Sequence, residues 1–324
     1  MTHSGGYTAD PRIRWQEWLP WVAALACFFL LPEYLSLGAR ILIYILFALS
    51  LDLILGYTGI ITLGHSAFFG LGAYVAGILG AKAGITDPFL QLAAAALAAA
   101  ALGAVTGAVI LRTRGLTLLM LTLAITSILL EIANKASWLT GGADGLSGVR
   151  VDPILGQFRF DLFGKTAFLY CLATLFVGWW LLRRLIYSPF GAMLTGLREN
   201  TVRMHAVGAP VYRRLVLVYT LSATMAGVAG ALLTQTNQFV GLNVLGFEPS
   251  GELLVMLILG GVGRLYGAFV GPVAYLVAQD FLAKQFPEYW YFGIGALLVV
   301  VIMFARGGIV GIADSALARL RRTA

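Results

Sequence analysis

The sequence is short of charge and short of reactive groups. Of its 324 residues only 11% are Asp, Glu, Lys or Arg, against about 25% in an ordinary soluble domain. It has 2 cysteines and 3 histidines. Cys27 and Cys171 each lie inside an apolar run, which excludes a disulfide framework. No His/Cys cluster has metal-ligand spacing, so no metal is expected. No Gly-x-x-x-x-Gly-Lys-Ser/Thr occurs, so the chain lacks a phosphate loop for ATP; the segment 260–264 (GGVGR) has neither the lysine nor a preceding soluble strand. No nucleophile and base can be paired around a single histidine in an apolar stretch, so neither a catalytic residue nor a cofactor is expected. The formal net charge of +7 comes without any basic module that would read nucleic acid.

What the chain has instead is apolar residues, 60% of the total. They fall in continuous runs rather than alternating ones, which indicates helices and not a barrel. The expected fold class is therefore all-α: a polytopic membrane helix bundle of about ten crossings, some short or broken, in contact with a lipid bilayer. The runs are Leu19–Leu31, Ala39–Leu55, the glycine-rich stretch that follows, Phe89–Leu111, Leu116–Ala133, Lys165–Leu182, Leu215–Leu233, an interrupted pair within 252–282, and Tyr289–Ala305. The first run is expected to be retained rather than cleaved. Arginines cluster between runs: Arg112 and Arg114, Arg183 to Arg214, and Arg319, Arg321 and Arg322. Placing all of them on the cytoplasmic side satisfies the positive-inside rule and puts both termini inside. This divides the chain into an arm (1–17), a membrane domain (18–312) with a basic loop at about 185–213, and a tail (313–324).

The stretch Gly56–Ala76 organises the rest. It carries Gly56, Gly59, Gly64, Gly70 and Gly72, with Thr62, His65 and Ser66 among them. Small residues let membrane helices approach closely, and a broken helix is tolerated only where protein or a cavity satisfies its backbone. A turn followed by a tightly packed helix is expected. His65 and Ser66 read equally as a capped helix start or as the lining of a path. Asp52, near the cytoplasmic end of its run, reads as a solvated carboxylate. Glu131 and Lys135 have the i,i+4 spacing of a surface ion pair, and Glu131 and Asn134 are candidates for solute access. In the second half Gly263, Gly267 and Gly271 recur every four residues as one packing face. Aligning Gly59–Tyr74 with Gly260–Tyr275 matches Gly59/Gly260, Ala67/Ala268, Phe68/Phe269, Gly70/Gly271, Ala73/Ala274 and Tyr74/Tyr275, a weak internal repeat of the kind transporters carry.

The loop between Arg183 and Arg214 is long for a connection. Within it Thr201, Val202, Arg203, His205 and Ala206 form a short amphipathic pattern, which reads as a helix lying on headgroups or docking into a partner.

Four motifs in order carry a resemblance: GYTGIITLGHSAFFGLGAY at 56–74, TGGADGLSG at 140–148, LRENTVRMHAVGAPVYRRL at 197–215, and LGGVGRLYGAFVGP at 259–272. Together they resemble the LivM-type permease subunit of branched-chain amino acid ABC importers. The resemblance implies a bacterial inner-membrane, multi-pass protein without enzymatic activity, driven by two ABC ATPase subunits. It also implies a second, LivH-type permease and a periplasmic solute-binding protein received at 134–164. Arg198, Glu199, Asn200, Arg203, Ala206 and Gly208 would belong to the loop that couples to the ATPases. Similar permeases serve amides, urea and aromatic acids, and an autonomous ion-coupled transporter is the competing class. The sequence departs from the usual pattern at Asp52, where asparagine is common, and at Ile60-Ile61-Thr62, where Gln-Leu-Ser is common.

Overall fold

A computed structural model describes residues 15–154, 158, 164–290, 292–296, 299 and 308–311. Arg12, Arg14, the arginines of the tail and much of the apolar run after Tyr289 lie outside the described residues.

The chain is helical. In order come α1 (Leu19–Leu30), α2 (Leu35–Thr58), α3 (Ser66–Ala81), α4 (Pro88–Ile110), α5 (Leu116–Lys135), α6 (Ser137–Thr140), α7 (Lys165–Ile186), α8 (Pro189–Glu199), α9 (Thr201–Ala206), α10 (Val211–Asn237), α11 (Phe247–Gly260) and α12 (Gly267–Gln285). Strands β1 (Leu146–Ser147) and β2 (Phe239–Val240) make one short antiparallel pair, Leu146 facing Val240. Among the described residues five helices are long and apolar enough to cross a membrane: α2 with the turn before it, α4, α5, α7 and α10. α1 and α3 are shorter apolar helices. The protein is a polytopic helical membrane protein.

Local chemistry sets several of these boundaries. The Asp87 carboxylate accepts from the amides of Phe89 and Leu90 at 2.8 and 3.2 Å and so caps α4, with Pro88 as its first residue; both are favoured helix-start choices. Gly59, at φ +75°, ends α2 in the left-handed conformation that glycine adopts without strain.

α2 is the central pillar. It is buried nearly throughout, whereas most residues of α4 and α5 are not fully buried. Large apolar side chains such as Leu97, Val105, Leu116 and Met120 point outward from those two helices, the surface expected where hydrocarbon or another membrane subunit is the solvent. The α3, α4 and α10 group is packed by small residues. A Cβ on Gly72 would fall 2.6 Å from the Gly227 Cα, and one on Gly230 would fall 2.8 Å from the Phe69 carbonyl carbon, so α3 and α10 touch backbone to backbone. Gly103 and Gly107 of α4 likewise face Ala223 and Tyr219 of α10.

The ends of the helices define two faces. The ends of α2, α4, α7 and α11 and the starts of α10 and α12 gather near Arg112, Arg183, Arg184, Arg198 and Arg213, the basic end. The opposite end holds the β1–β2 pair, the α6 loop and the start of α2. The aligned repeat positions also correspond in the fold: α3 starts at Ser66 and α12 at Gly267, which the repeat pairs with each other. In both units a helix running to the basic end stops at a glycine of positive φ, Gly59 or Gly261, and the chain turns back into the next helix.

Gly72→Ala is expected to lower the thermal midpoint of the detergent-solubilised protein, overpacking costing about 1–3 kcal/mol. Gly251→Ala adds a methyl that meets only the Phe247 ring, at 3.9 Å, and is expected to leave the midpoint unchanged or raise it. Scanning fluorimetry on the two variants side by side makes the check; equal midpoints would contradict the α3–α10 contact.

Candidate functional site

Two polar assemblies sit inside this apolar bundle, one at the basic end and one deeper. The first joins the two helix breaks. The Gly263 amide donates to the Asp52 carboxylate at 2.7 Å, and Asp52 is only 1% exposed. The expectation of a solvated carboxylate is therefore wrong: the turn after α11 is folded against the last turns of α2 and covers Asp52. The contact is so close that a Cβ on Gly56 would fall 2.7 Å from both the Cα and the amide nitrogen of Gly263. Gly263 itself adopts φ +77°. The Arg198 guanidinium, reaching in from α8, donates to the Gly56 carbonyl. Its Nη1 lies 2.6 Å from where a Gly263 Cβ would stand, and its Cγ lies 3.3 Å from where a Gly59 Cβ would stand. One side chain thus lies over both breaks.

The second assembly surrounds the start of α3, beside Ser50, about 12 Å along α2 from its Thr58 end. Ser50, His65, Ser66 and Ser222 are 0% exposed and Ser250 1%. The α3 terminus is capped from another helix: the Ser66 amide donates to the Ser250 hydroxyl at 2.8 Å, and that hydroxyl donates to the Ser66 hydroxyl at 2.8 Å. The histidine tautomer follows from proton counting. The Ser50 hydroxyl gives its proton to the Phe47 carbonyl, and the Ser222 hydroxyl gives its own to the Ser50 carbonyl. Both therefore offer only lone pairs to His65 Nε2, 2.8 and 3.4 Å away, so Nε2 carries the proton. Among the described residues Nδ1 has no partner. The ring stacks on Phe47 and meets Phe68 edge-on. Thr62 is buried, and its hydroxyl accepts from the Gly64 amide at 3.3 Å. Gly64 presses on the Thr122 backbone of α5, and Gly70 on Leu245.

The structure brings Thr62, His65 and Ser66 together, and it does not bring Glu131 and Asn134 to them. Glu131 is exposed at the opposite end of α5 in an ion pair with Lys135 at 3.3 Å, and Asn134 is exposed beside it. Gly267 and Gly271 pack on Gly261 and Met256 respectively, closing the α11–α12 hairpin. Near the start of α2, a cavity of about 290 Å³ is lined by Ser36, Arg40, Ile43, Ala167, Thr236 and Asn237, among others.

The basic loop resolves into α8 and α9. α8 is seated by Gly191, Leu194 and Leu197, all buried. α9 has no buried residue, and Val202 and Val207 are 75% and 78% exposed. Asn200 starts α9 by accepting from the Arg203 amide at 2.9 Å. Glu199 and Asn200 are exposed, as are Arg203, Ala206 and Gly208, the last at φ +82° where the chain leaves α9.

Reading the residues in order missed two networks. Arg183, grouped with the surface arginines, is buried and binds the Glu17 carboxylate through both oxygens at 2.7 and 3.2 Å. The signal was an acid among Trp15, Trp18 and Trp21. At the opposite end the Gln235 amide donates to Gln91 at 3.0 Å and accepts from the Tyr170 hydroxyl at 3.0 Å; one glutamine inside an apolar run and one just past the end of another were the trace.

A helical membrane bundle with two broken-helix hairpins and a surface-standing helix pair wedged between two spans has the build of a transport permease. The chain belongs to the family described as branched-chain amino acid transport system / permease component, which matches residues 34–302. It is 27% identical to the high-affinity branched-chain amino acid transport system permease protein LivM of Escherichia coli K12, over 83% of this chain and 68% of that one. It is also 27% identical to a probable branched-chain amino acid transport permease protein LivH of Methanocaldococcus jannaschii, over 88% of this chain and 95% of the other. A more partial likeness, 27% over 52% of this chain and 48% of the relative, is to the autoinducer 2 import system permease protein LsrC of Klebsiella pneumoniae. No solved structure matches. As the permease component of an ABC system, the chain is not the subunit that hydrolyses ATP.

Ser250→Ala removes the cap from the Ser66 amide and is expected to destabilise by about 1 kcal/mol, seen as a lower thermal midpoint in detergent. Ser137→Ala, at an exposed position, serves as the reference. Equal midpoints would mean that the α3 start does not depend on α11.

Proposed function

We propose that this chain is one of the two permease subunits of a bacterial inner-membrane ABC importer for branched-chain amino acids. It pairs with a second, LivH-type permease; two ATPase subunits dock at the basic end, and a periplasmic binding protein delivers solute at the opposite end. The observation that carries this reading is the contrast between α8 and α9. α8 is held by Leu194 and Leu197, while α9 is attached through the half-buried Met204 and leaves Val202, and Val207 just after it, uncovered. A helix so short has no stability of its own in water. Rooted in α8 and capped by Asn200, it is a ready knob for a groove on an ATPase, with Glu199, Arg203, Ala206 and Gly208 around it.

The solute assignment is supported by the family and by the relatives named for branched-chain amino acids. The departure at Asp52 is set against a structural role, since that buried carboxylate accepts from the Gly263 amide. Thr62, His65 and Ser66 are proposed to border the path as closed here; Glu131 and Asn134, on the opposite face, are proposed to meet arriving solute. The exposed Trp138 and the β1–β2 pair are the surface proposed for the binding protein.

The test is ATP-dependent leucine uptake by the complete transporter in proteoliposomes with its binding protein. Val202→Asp combined with Val207→Asp is expected to reduce uptake at least tenfold and to lower ATPase co-purification. Uptake at the wild-type rate, or after deletion of 197–209, would refute the docking.

A further inference from the structure

The contacts of Arg198 differ in kind from those of its neighbours in the loop. Glu199, Arg203 and His205 are exposed, and α9 holds no fully buried residue. Arg198, one helical residue earlier, is exposed as they are but turns its guanidinium inward. Its guanidinium donates to the Gly56 carbonyl in the last turn of α2, its stem lies over Gly59, and its Nη1 abuts Gly263 in the turn between α11 and α12. Gly56 and Gly263 are themselves in backbone contact, and Asp52 closes the group by accepting the Gly263 amide at 2.7 Å. Four chain segments therefore meet at one cation: α2, the turn leading to α3, the α11–α12 turn and α8.

We propose that Arg198 is the positioning residue that carries movement of the α8–α9 segment to both helix breaks at once. The proposal rests on the reading of α9 as the ATPase-facing element. Its physical basis is stiffness. The planar guanidinium gives the Gly56 carbonyl one directional hydrogen bond from a pre-organised group that loses less freedom than a flexible ammonium would. The alternative links are weaker: Leu194 and Leu197 seat α8 by apolar packing, which is non-directional. Without Arg198, α8 can shift while the two hairpins stay behind. Gly56 and Gly263 leave no room for a side chain, so the carbonyl and the amide of the two breaks move as one body. Displacing Arg198 by a fraction of its length is thereby felt along α3 toward His65 and Ser66 and along α12 toward Tyr275. The internal repeat gains a mechanical sense: two hairpins of the same polarity, each turning at the basic end, are held by a single handle.

The experiment uses the complete transporter in proteoliposomes, with leucine uptake and ATP hydrolysis measured on the same sample. Arg198→Met keeps the length of the stem and removes the donors. The expected result is an assembled complex that hydrolyses ATP but moves at least tenfold less leucine per ATP, with the apparent affinity for the loaded binding protein retained. Arg198→Lys is expected to recover part of that ratio, within threefold to tenfold of wild type, since a single ammonium can reach one carbonyl without the fork. A wild-type ratio of leucine to ATP in Arg198→Met overturns the proposal. So does loss of the ATPases from an otherwise folded Arg198→Met permease, which would make Arg198 a docking residue. Should the Arg198→Met permease itself fail to fold, Arg198→Lys carries the test alone, and an unaltered ratio there refutes it. The docking reading fails separately, by survival of uptake in the α9 double variant, whatever Arg198 does.

Discussion

The constraint on which this structure depends is that backbone amides and carbonyls freed inside an apolar bundle must find partners within the protein. Each unsatisfied group in hydrocarbon costs several kcal/mol. This chain breaks its helices twice, after Gly59 and after Gly260, and so exposes helix ends among apolar neighbours. Three of the groups so freed are met by specific partners. Asp52 takes the Gly263 amide, Arg198 takes the Gly56 carbonyl, and Ser250 takes the Ser66 amide. None of these partners is local in sequence, so the breaks fix the tertiary structure rather than merely tolerating it.

Glycine makes those partnerships possible by removing the side chains between backbones. Gly56 on Gly263, Gly72 on Gly227 and Gly271 on Met256 are positions where a Cβ would overlap main-chain atoms. Close approach of that kind supplies dispersion contact where burial of apolar surface from lipid supplies little. It also ties α11 to α12, and the turn between them to the end of α2; packed units that rock together are a common device of membrane transport. A permease of this family has no chemistry to perform; its task is to change shape when other subunits consume ATP. Two helix breaks in backbone contact, joined to a surface helix, suit that task.

The helical membrane fold could be read in the sequence because it follows from continuous apolar runs, and the long helices begin and end near where those runs do. The interrupted region was legible for the same reason: four glycines within 260–267 cannot sustain a helix. The buried partners were less legible. Asp52 looked like a surface acid because nothing within its own run marks it; its partner is Gly263, 211 residues away. Arg183 looked like one more arginine of a basic loop, yet it is buried on Glu17. A one-dimensional pattern records which residues are polar, but not which of two faces of a helix end they occupy. Arg198 and Glu199 are adjacent in a basic stretch and do opposite things. The polar knot at His65 was visible as a cluster of Thr62, His65 and Ser66, but its completing groups, Ser50, Ser222 and Ser250, come from three other helices.

The most direct test of this account is amide hydrogen exchange of the segment 259–266 in the protein held in lipid nanodiscs. If the turn between α11 and α12 is bonded to Asp52 and pressed on Gly56, its amides, that of Gly263 above all, will exchange as slowly as those in the body of α11. Exchange at the rate of an open loop would mean that the two breaks are not joined, and the account built on them would be wrong.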